Sequence, residues 1–402
     1  MTKLRGRPLL ALAAAAAIVA ALTLSACGSS TSDKDKTATA AAKQPTAAVT
    51  KSASASTATS SGTSTTGISI PSNVGKDDKA QLTGAGATFP NPLYTRWFSD
   101  YKSSIATGVE VNYQSIGSGG GVKQITEKTV DFGASDAPLS DAELTKAAGI
   151  QHIPTTLGAV VMTYNLDGVT APLKLDGATI AQIYLGKIKK WNDPAIAGQN
   201  SGVTLPSADI VVVHRADGSG TSFVFTDYLS KVSGDWESGP GTSKNPQWPV
   251  GLGGQGNDGV TQQVKQTKNS IGYVELLYAV TNKLPQADIK SKTGDYVAAS
   301  SASTSLAASG VTLPADYRIS IVDSATKGAY PIASFTYILL YKDQKDAAKG
   351  KALVDLLWWA IHDGQKTTTE LNYAPLPADV VTSIEKTLTT DITSGGQPLL
   401  KK

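Results

Sequence analysis

Three times in this chain an apolar, strand-like run gives way to a glycine-containing turn and then to a helix whose first residues carry a hydroxyl. The first is Leu82-Thr83-Gly84-Ala85-Gly86-Ala87-Thr88-Phe89-Pro90, leading into a segment that spaces Leu93, Trp97 and Tyr101 four apart on one helical face. The second runs from the alternating residues 109–116 through Gly117-Ser118-Gly119-Gly120-Gly121 to Val122-Lys123-Gln124-Ile125. The third runs from residues 210–215 through Ala216-Asp217-Gly218-Ser219-Gly220-Thr221 to Ser222-Phe223-Val224-Phe225. Amides at a helix N-terminus and neighbouring hydroxyls form a ready anion cradle, and glycines let the backbone approach a ligand closely. One such junction is most often a plain helix cap. Three in one chain point to a small oxyanion held mainly by neutral donors.

Two kinds of charge would set selectivity. Arg215 ends a strand beside the third turn, where its fork can grip an oxyanion bidentately. Asp217 either holds that fork in place or merely pairs with it at the surface. In Asp131-Phe132-Gly133-Ala134-Ser135-Asp136-Ala137-Pro138-Leu139, Asp136 has no helix to cap, whereas Ser140-Asp141-Ala142-Glu143 reads as a capping box. A carboxylate inside an anion site repels its ligand unless the ligand brings a proton for it to accept. Phosphate at neutral pH carries one or two protons and sulfate none, so Asp136 favours phosphate over sulfate. In other systems such an unpaired polar mismatch costs about ten thousandfold.

Other chemistries fail on spacing. Gly84-Ala85-Gly86 is followed by Phe89 where a dinucleotide fingerprint needs glycine, and Leu185-Gly186-Lys187-Ile188 lacks the hydroxyl and upstream glycine of a P-loop. Asp217 stands where a nucleophile elbow around Ser219 needs its first glycine. His152, His214 and His362 match no metal-ligand spacing, and the single cysteine excludes an internal disulfide or a CxxC zinc set. At 402 residues the chain exceeds the roughly 250–300 at which single cores stop growing, so two lobes are expected.

Residues 1–26 have a basic start, an Ala/Leu/Val/Ile run from Leu9 and a small-residue end, which is a signal-peptide plan. The alternative is a spanning helix, for which about 20 apolar residues suffice. Leu24-Ser25-Ala26-Cys27 resembles the lipobox of bacterial lipoproteins, which implies lipidation of Cys27, the only cysteine, at the new N-terminus. Losing Lys3, Arg5 and Arg7 with the leader cancels the formal +3, so bulk charge gives no case for nucleic acid. Residues 27–79, rich in Ser, Thr and Ala, cannot bury enough apolar surface to order and read as a tether. Its rms reach would be roughly 40 Å.

The chain resembles the phosphate-binding proteins of phosphate-specific ABC transporters. The resemblance extends from about Gln81 to near the C-terminus, through TGAGATFPNPLYTRW, IGSGGGVKQIT, DFGASDAPLS, IYLGKIKKWNDPAI, RADGSGTSFVFTDYLSK, GLGGQGNDGV, SIGYVE and YPIASFTYILLYKDQ. It implies that phosphate is held by Ala87, Thr88, Phe89, Ser118, Asp136, Arg215, Ser219, Gly220 and Thr221. Gly119 departs from the pattern, since relatives often carry a second serine there. The implied fold is an α/β, two-lobed type II periplasmic binding protein with ligand in the interlobe cleft. Residues 80–155 and 328–402 would form lobe one and 156–327 lobe two, with crossings near 157–166 and 331–341. The implied role is a non-enzymatic, cofactor-free monomer, lipid-anchored at the extracytoplasmic membrane face, delivering phosphate to an ABC permease and its ATPase. Arsenate or phosphonate binding, a phosphate sensor or adhesin, and a secreted phosphatase using Ser219 stay open.

Overall fold

The computed structural model describes residues 74–169 and 171–400; the leader, Cys27 and most of the tether lie outside them. Residues 74–79, read with the tether, are turn and strand. The Asp78 amide donates to the Gly75 carbonyl at 3.0 Å, and its carboxylate accepts from the Lys351 ammonium at 2.9 Å.

The apolar runs assemble into an 8-stranded sheet. Its strands are β1 (Lys79–Gly86), β2 (Gly108–Ser115), β3 (Phe132–Ser135), β4 (Ile150–Asn165), β5 (Val211–Arg215), β6 (Leu252–Gly254), β7 (Ser270–Glu275) and β8 (Ala333–Tyr341). They lie in the order β2-β1-β3-β8-β4-β7-β5-β6. β1 is parallel to β2 and β3, and β5 is parallel to β6 and β7. Between these groups run β8 and β4, antiparallel to each other and to their outer neighbours. At 16 residues β4 is long enough to serve both halves. It pairs with β8 as far as Ala159 and with β7 from Val160 onward. Residues 157–166, expected as a crossing, lie mainly in that second stretch, and 331–341 lie at and within β8.

The parallel strands feed helices, as βαβ connections require, and the inner ones β3 and β7 are fully buried whereas the edge strands β2 and β6 are largely not. α1 (Asn91–Ser104) follows β1, with Pro92 in its first turn and Leu93, Tyr94, Trp97 and Tyr101 on its buried face. α2 (Ser118–Thr126) follows β2, α3 (Gly220–Val232) follows β5 and α4 (Gly256–Gln266) follows β6. α5 (Ala347–Ile361) lays its buried Leu353, Leu356 and Leu357 toward β1, with Trp358 half-buried beside them, and α6 (Ala378–Thr390) packs on α5. In the other half an aromatic cluster fills the space under α3, where the Phe225 and Tyr273 rings stack with centroids 4.4 Å apart. Among the described residues no helix is long and apolar enough to cross a membrane.

Every parallel strand that feeds the site does so from its carboxyl end. In open α/β sheets that end carries the binding crevice, because the following helices present their N-termini there. The ends of the two parallel groups meet, the Gly119 amide donating to the Gly218 carbonyl at 2.8 Å.

Candidate functional site

The first turn places Thr88 just past the end of β1, held by its neighbours on every side. Its Oγ1 accepts from the Asn257 amide at 3.2 Å and from Asn257 Nδ2 at 2.8 Å. Its carbonyl accepts from the Tyr278 hydroxyl, and the Phe89 carbonyl accepts from the Tyr373 hydroxyl at 2.7 Å. The Ala87 amide donates to the Ala134 carbonyl at 2.9 Å, so this residue shapes the turn while its own N–H is spent.

The second turn sets Ser118 as the first residue of α2, inside the helix and not at its cap. Its Oγ accepts from the Asp136 amide at 3.4 Å, a long contact. Gly117 has φ +86, and a Cβ there would lie 2.3 Å from Asp217 Oδ2, so glycine is required by both backbone and space. The adjacent Gly119 amide donates to the Gly218 carbonyl at 2.8 Å, which joins the second and third turns across the cleft.

Asp136 follows β3 directly and is 1% exposed. Its Oδ1 accepts from the Thr336 hydroxyl at 2.8 Å. Burial pushes its carboxyl up to about 7, against the lowering effects of the Thr336 hydroxyl, the Arg215 charge and Ser118. Its other oxygen faces the start of α3, since a Cβ on Gly220 would lie 2.5 Å from both Asp136 Oδ2 and Ser118 Oγ. Ser118 of the second turn and Asp136, which follows β3, thus come within contact distance of the α3 N-terminus that the third turn carries.

The third turn carries the cation. Arg215, at the end of β5, is 2% exposed. Its Nε donates to Asp217 Oδ1 at 2.7 Å and its Nη2 to Asp217 Oδ2 at 2.5 Å, while Nη1 reaches Thr221 Oγ1 at 3.2 Å. Of the two roles open to Asp217, the structure has the fork-holding one, in a buried bidentate pair. Asp217 is itself held by the Gly256 amide at 3.0 Å. Ser219 caps α3, its Oγ accepting from the Ser222 amide at 3.0 Å, so that hydroxyl oxygen is engaged by the backbone. Gly220 and Thr221 then open the helix, where intrahelical geometry leaves the first amides without partners.

The structure links the three turns directly: Asn257 Nδ2 joins Thr88 to Thr221, Arg215 reaches Thr221, and Ser118 and Asp136 meet beside Gly220, with Ala87, Phe89 and Ser219 next to these in the chain. Four further residues were not singled out by sequence reasoning: Asn257, Thr336, Tyr278 and Tyr373. The GLGGQGNDGV segment forms a fourth strand-to-glycine-to-helix junction, from β6 into α4, with an amide where the others carry hydroxyls. That pattern was legible in the sequence. Thr336 comes from the middle of β8, and no local pattern marks it.

The buried set has a net character that follows from these pairings. Arg215 is balanced by Asp217, leaving hydroxyls and helix N-termini as the main donors and Asp136 as an acceptor among them. Such an arrangement suits a small anion that carries a proton.

Residues 30–357 match the family described as the PBP superfamily domain. A protein named "Phosphate-binding protein PstS" from Xylella fastidiosa is 46% identical over 318 residues, covering 78% of this chain and 86% of that one. Another of that name, from Pasteurella multocida, is 45% identical over 316 residues, covering 78% and 91%. Among solved structures, a high-affinity periplasmic phosphate-binding protein bound with phosphate superposes with a TM-score of 0.66, at 19% identity. It covers 80% of this chain and 99% of its own, a likeness of fold.

Proposed function

The chain belongs to the PBP superfamily and within it to the phosphate-binding proteins, and on that premise we propose that it binds inorganic phosphate outside the cell membrane for delivery to an ABC importer. The observation that carries the reading is Asp136, a buried carboxyl set against the second and third turns, one from each half of the fold. Phosphate fits because it offers both acceptor oxygens and a proton. It can enter as the monoanion against ionised Asp136 or as the dianion against protonated Asp136, and the two bound states hold the same number of protons.

In this reading Thr88, Ser118, Ser219 and Thr221 donate through their hydroxyls, Phe89 and Gly220 through their amides, and Arg215 through its guanidinium. Ala87 contributes by shaping its turn. Because donors come from both halves, the anion favours the closed form to the extent that it binds that form more tightly than an open one. That closed form would be the one that docks on the permease and its ATPase. Arsenate is protonated as phosphate is, and the same geometry admits it.

The address belongs to the proposal as well. A lipid on Cys27 would hold the protein, as a monomer, at the extracytoplasmic face, with the Ser/Thr/Ala-rich segment letting the folded part reach the permease. Replacing Cys27 by Ala should then release the protein into the medium in a fractionation assay. Membrane retention of that variant would point instead to a spanning helix.

The direct test is calorimetric titration of the purified protein, stripped of anion, with phosphate and then sulfate at neutral pH. Saturable one-to-one phosphate binding with no sulfate signal supports the reading. Tight sulfate binding removes the role given to Asp136, and binding of neither anion removes the transport role.

A further inference from the structure

Asn257 is fully buried at the start of α4, and its carboxamide has one permitted orientation. Oδ1 accepts the Glu275 amide at 2.9 Å, so Nδ2 must face the other way. That nitrogen donates to two hydroxyl oxygens from opposite halves of the cleft, Thr88 Oγ1 at 2.8 Å and Thr221 Oγ1 at 3.2 Å. Each hydroxyl has a second donor: Thr88 receives the Asn257 backbone amide at 3.2 Å, and Thr221 receives Arg215 Nη1 at 3.2 Å.

A hydroxyl has two acceptor lone pairs and one hydrogen, and left to itself it serves as donor or acceptor as the partner requires. Here both lone pairs of both threonines are occupied, so the one remaining capacity of each is to donate its hydrogen. We propose that Asn257 is a positioning residue that fixes Thr88 and Thr221 as obligate donors facing the cleft. The inference rests on the phosphate reading above and deepens it. It says why hydroxyls, which elsewhere accept as readily as they donate, here select a ligand with acceptor oxygens at both points. It also ties the two halves together through one side chain.

The test is a double-mutant cycle on the full chain, read as phosphate dissociation constants by calorimetry, with thermal melts of each anion-free variant as a folding control. In Asn257→Asp an accepting oxygen replaces Nδ2, so the threonine hydrogens turn toward it. Phosphate binding should weaken about a hundredfold. Thr88→Val should weaken binding about tenfold in the wild-type background, and less than about twofold once Asn257 is aspartate, because the lost hydroxyl no longer reaches phosphate. If Asn257 merely supports α4, or if the new charge only repels the anion, Thr88→Val costs the same in both backgrounds, and that result overturns the inference. Should Asn257→Asp not fold, the same cycle on Asn257→Ser, which also removes both Nδ2 donors, must give coupling of the same sign. A wild-type protein that binds no phosphate would instead bring down the phosphate reading and this inference together.

Discussion

Asp136 is where a single residue has the largest consequences. Its carboxyl is pushed up to about 7 by burial, well above the ordinary value of about 3.9. The anion-free fold therefore binds a proton that the unfolded chain releases. This group's contribution to stability is fully present below about pH 4 and is lost as pH rises through about 7. Asp136→Asn should flatten that part of the stability curve, measured by denaturant unfolding of the stripped protein across pH. The same titration bears on selectivity. Protonated Asp136 can donate to sulfate, whereas ionised Asp136 opposes it, so discrimination against sulfate should grow from about pH 5.5 to about pH 8.5. Competition titrations at the two ends check this, and a pH-independent ratio would remove Asp136 as the discriminating group. Gly220 is the second sensitive position. A methyl group there meets Asp136 and Ser118, and overpacking of about 1–3 kcal/mol corresponds to roughly five- to 150-fold weaker phosphate binding for Gly220→Ala.

At the scale of elements, two serines that read alike in sequence do different things. Ser219 caps α3 through the Ser222 amide, whereas Ser118 sits one position into α2 and makes no cap bond of its own. Ser219→Ala should therefore lower the stability of the anion-free protein by about 1 kcal/mol as well as weakening phosphate binding. Ser118→Ala should weaken binding and leave the anion-free melt nearly unchanged. Paired thermal melts and titrations separate the two, and equal melting losses would contradict the distinction. Much at this scale was legible. The apolar face of α1, the Ser140 to Glu143 capping box and the buried leucines of α5 all follow from local periodicity and cap chemistry, which depend on residues three or four positions apart.

For the whole molecule, what matters is how the two halves are held against each other. The Lys244 ammonium on one half reaches the Glu143 carboxylate on the other, and Arg318 donates to the Leu139 carbonyl at 2.9 Å and pairs with Asp141 at 2.7 Å. Burial works to raise the Glu143 carboxyl, yet Lys244 and the Ser140 amide together hold it below the ordinary glutamate range. A lowered carboxyl contributes stability above the unfolded value of about 4.3 and loses it as pH falls through the folded value. Both side chains are partly exposed, so the pair is worth no more than about 1 kcal/mol and is screened by salt. Lys244→Ala should thus weaken phosphate binding by less than about tenfold at low ionic strength, with the difference shrinking as salt is added. An effect that persists at high salt would assign Lys244 a role beyond this pair.

The features that point to an anion are local. Glycine, hydroxyl and helix start lie within a few residues of one another at Thr88, Ser118 and Ser219, and each turn carries its own donors wherever the chain places it. The Arg215 and Asp217 pairing, two residues apart, was likewise within reach of the sequence, although its burial was not. Only the tertiary structure decided which groups complete the cradle. Thr336 meets Asp136 because β8 lies beside β3, and Asn257 joins Thr88 to Thr221 because α4 starts where the two halves touch. Those partners are 200 and 169 residues apart in the chain. Their meeting depends on strand order and on closure of the cleft, which are properties of the whole fold, and no short stretch of sequence contains them.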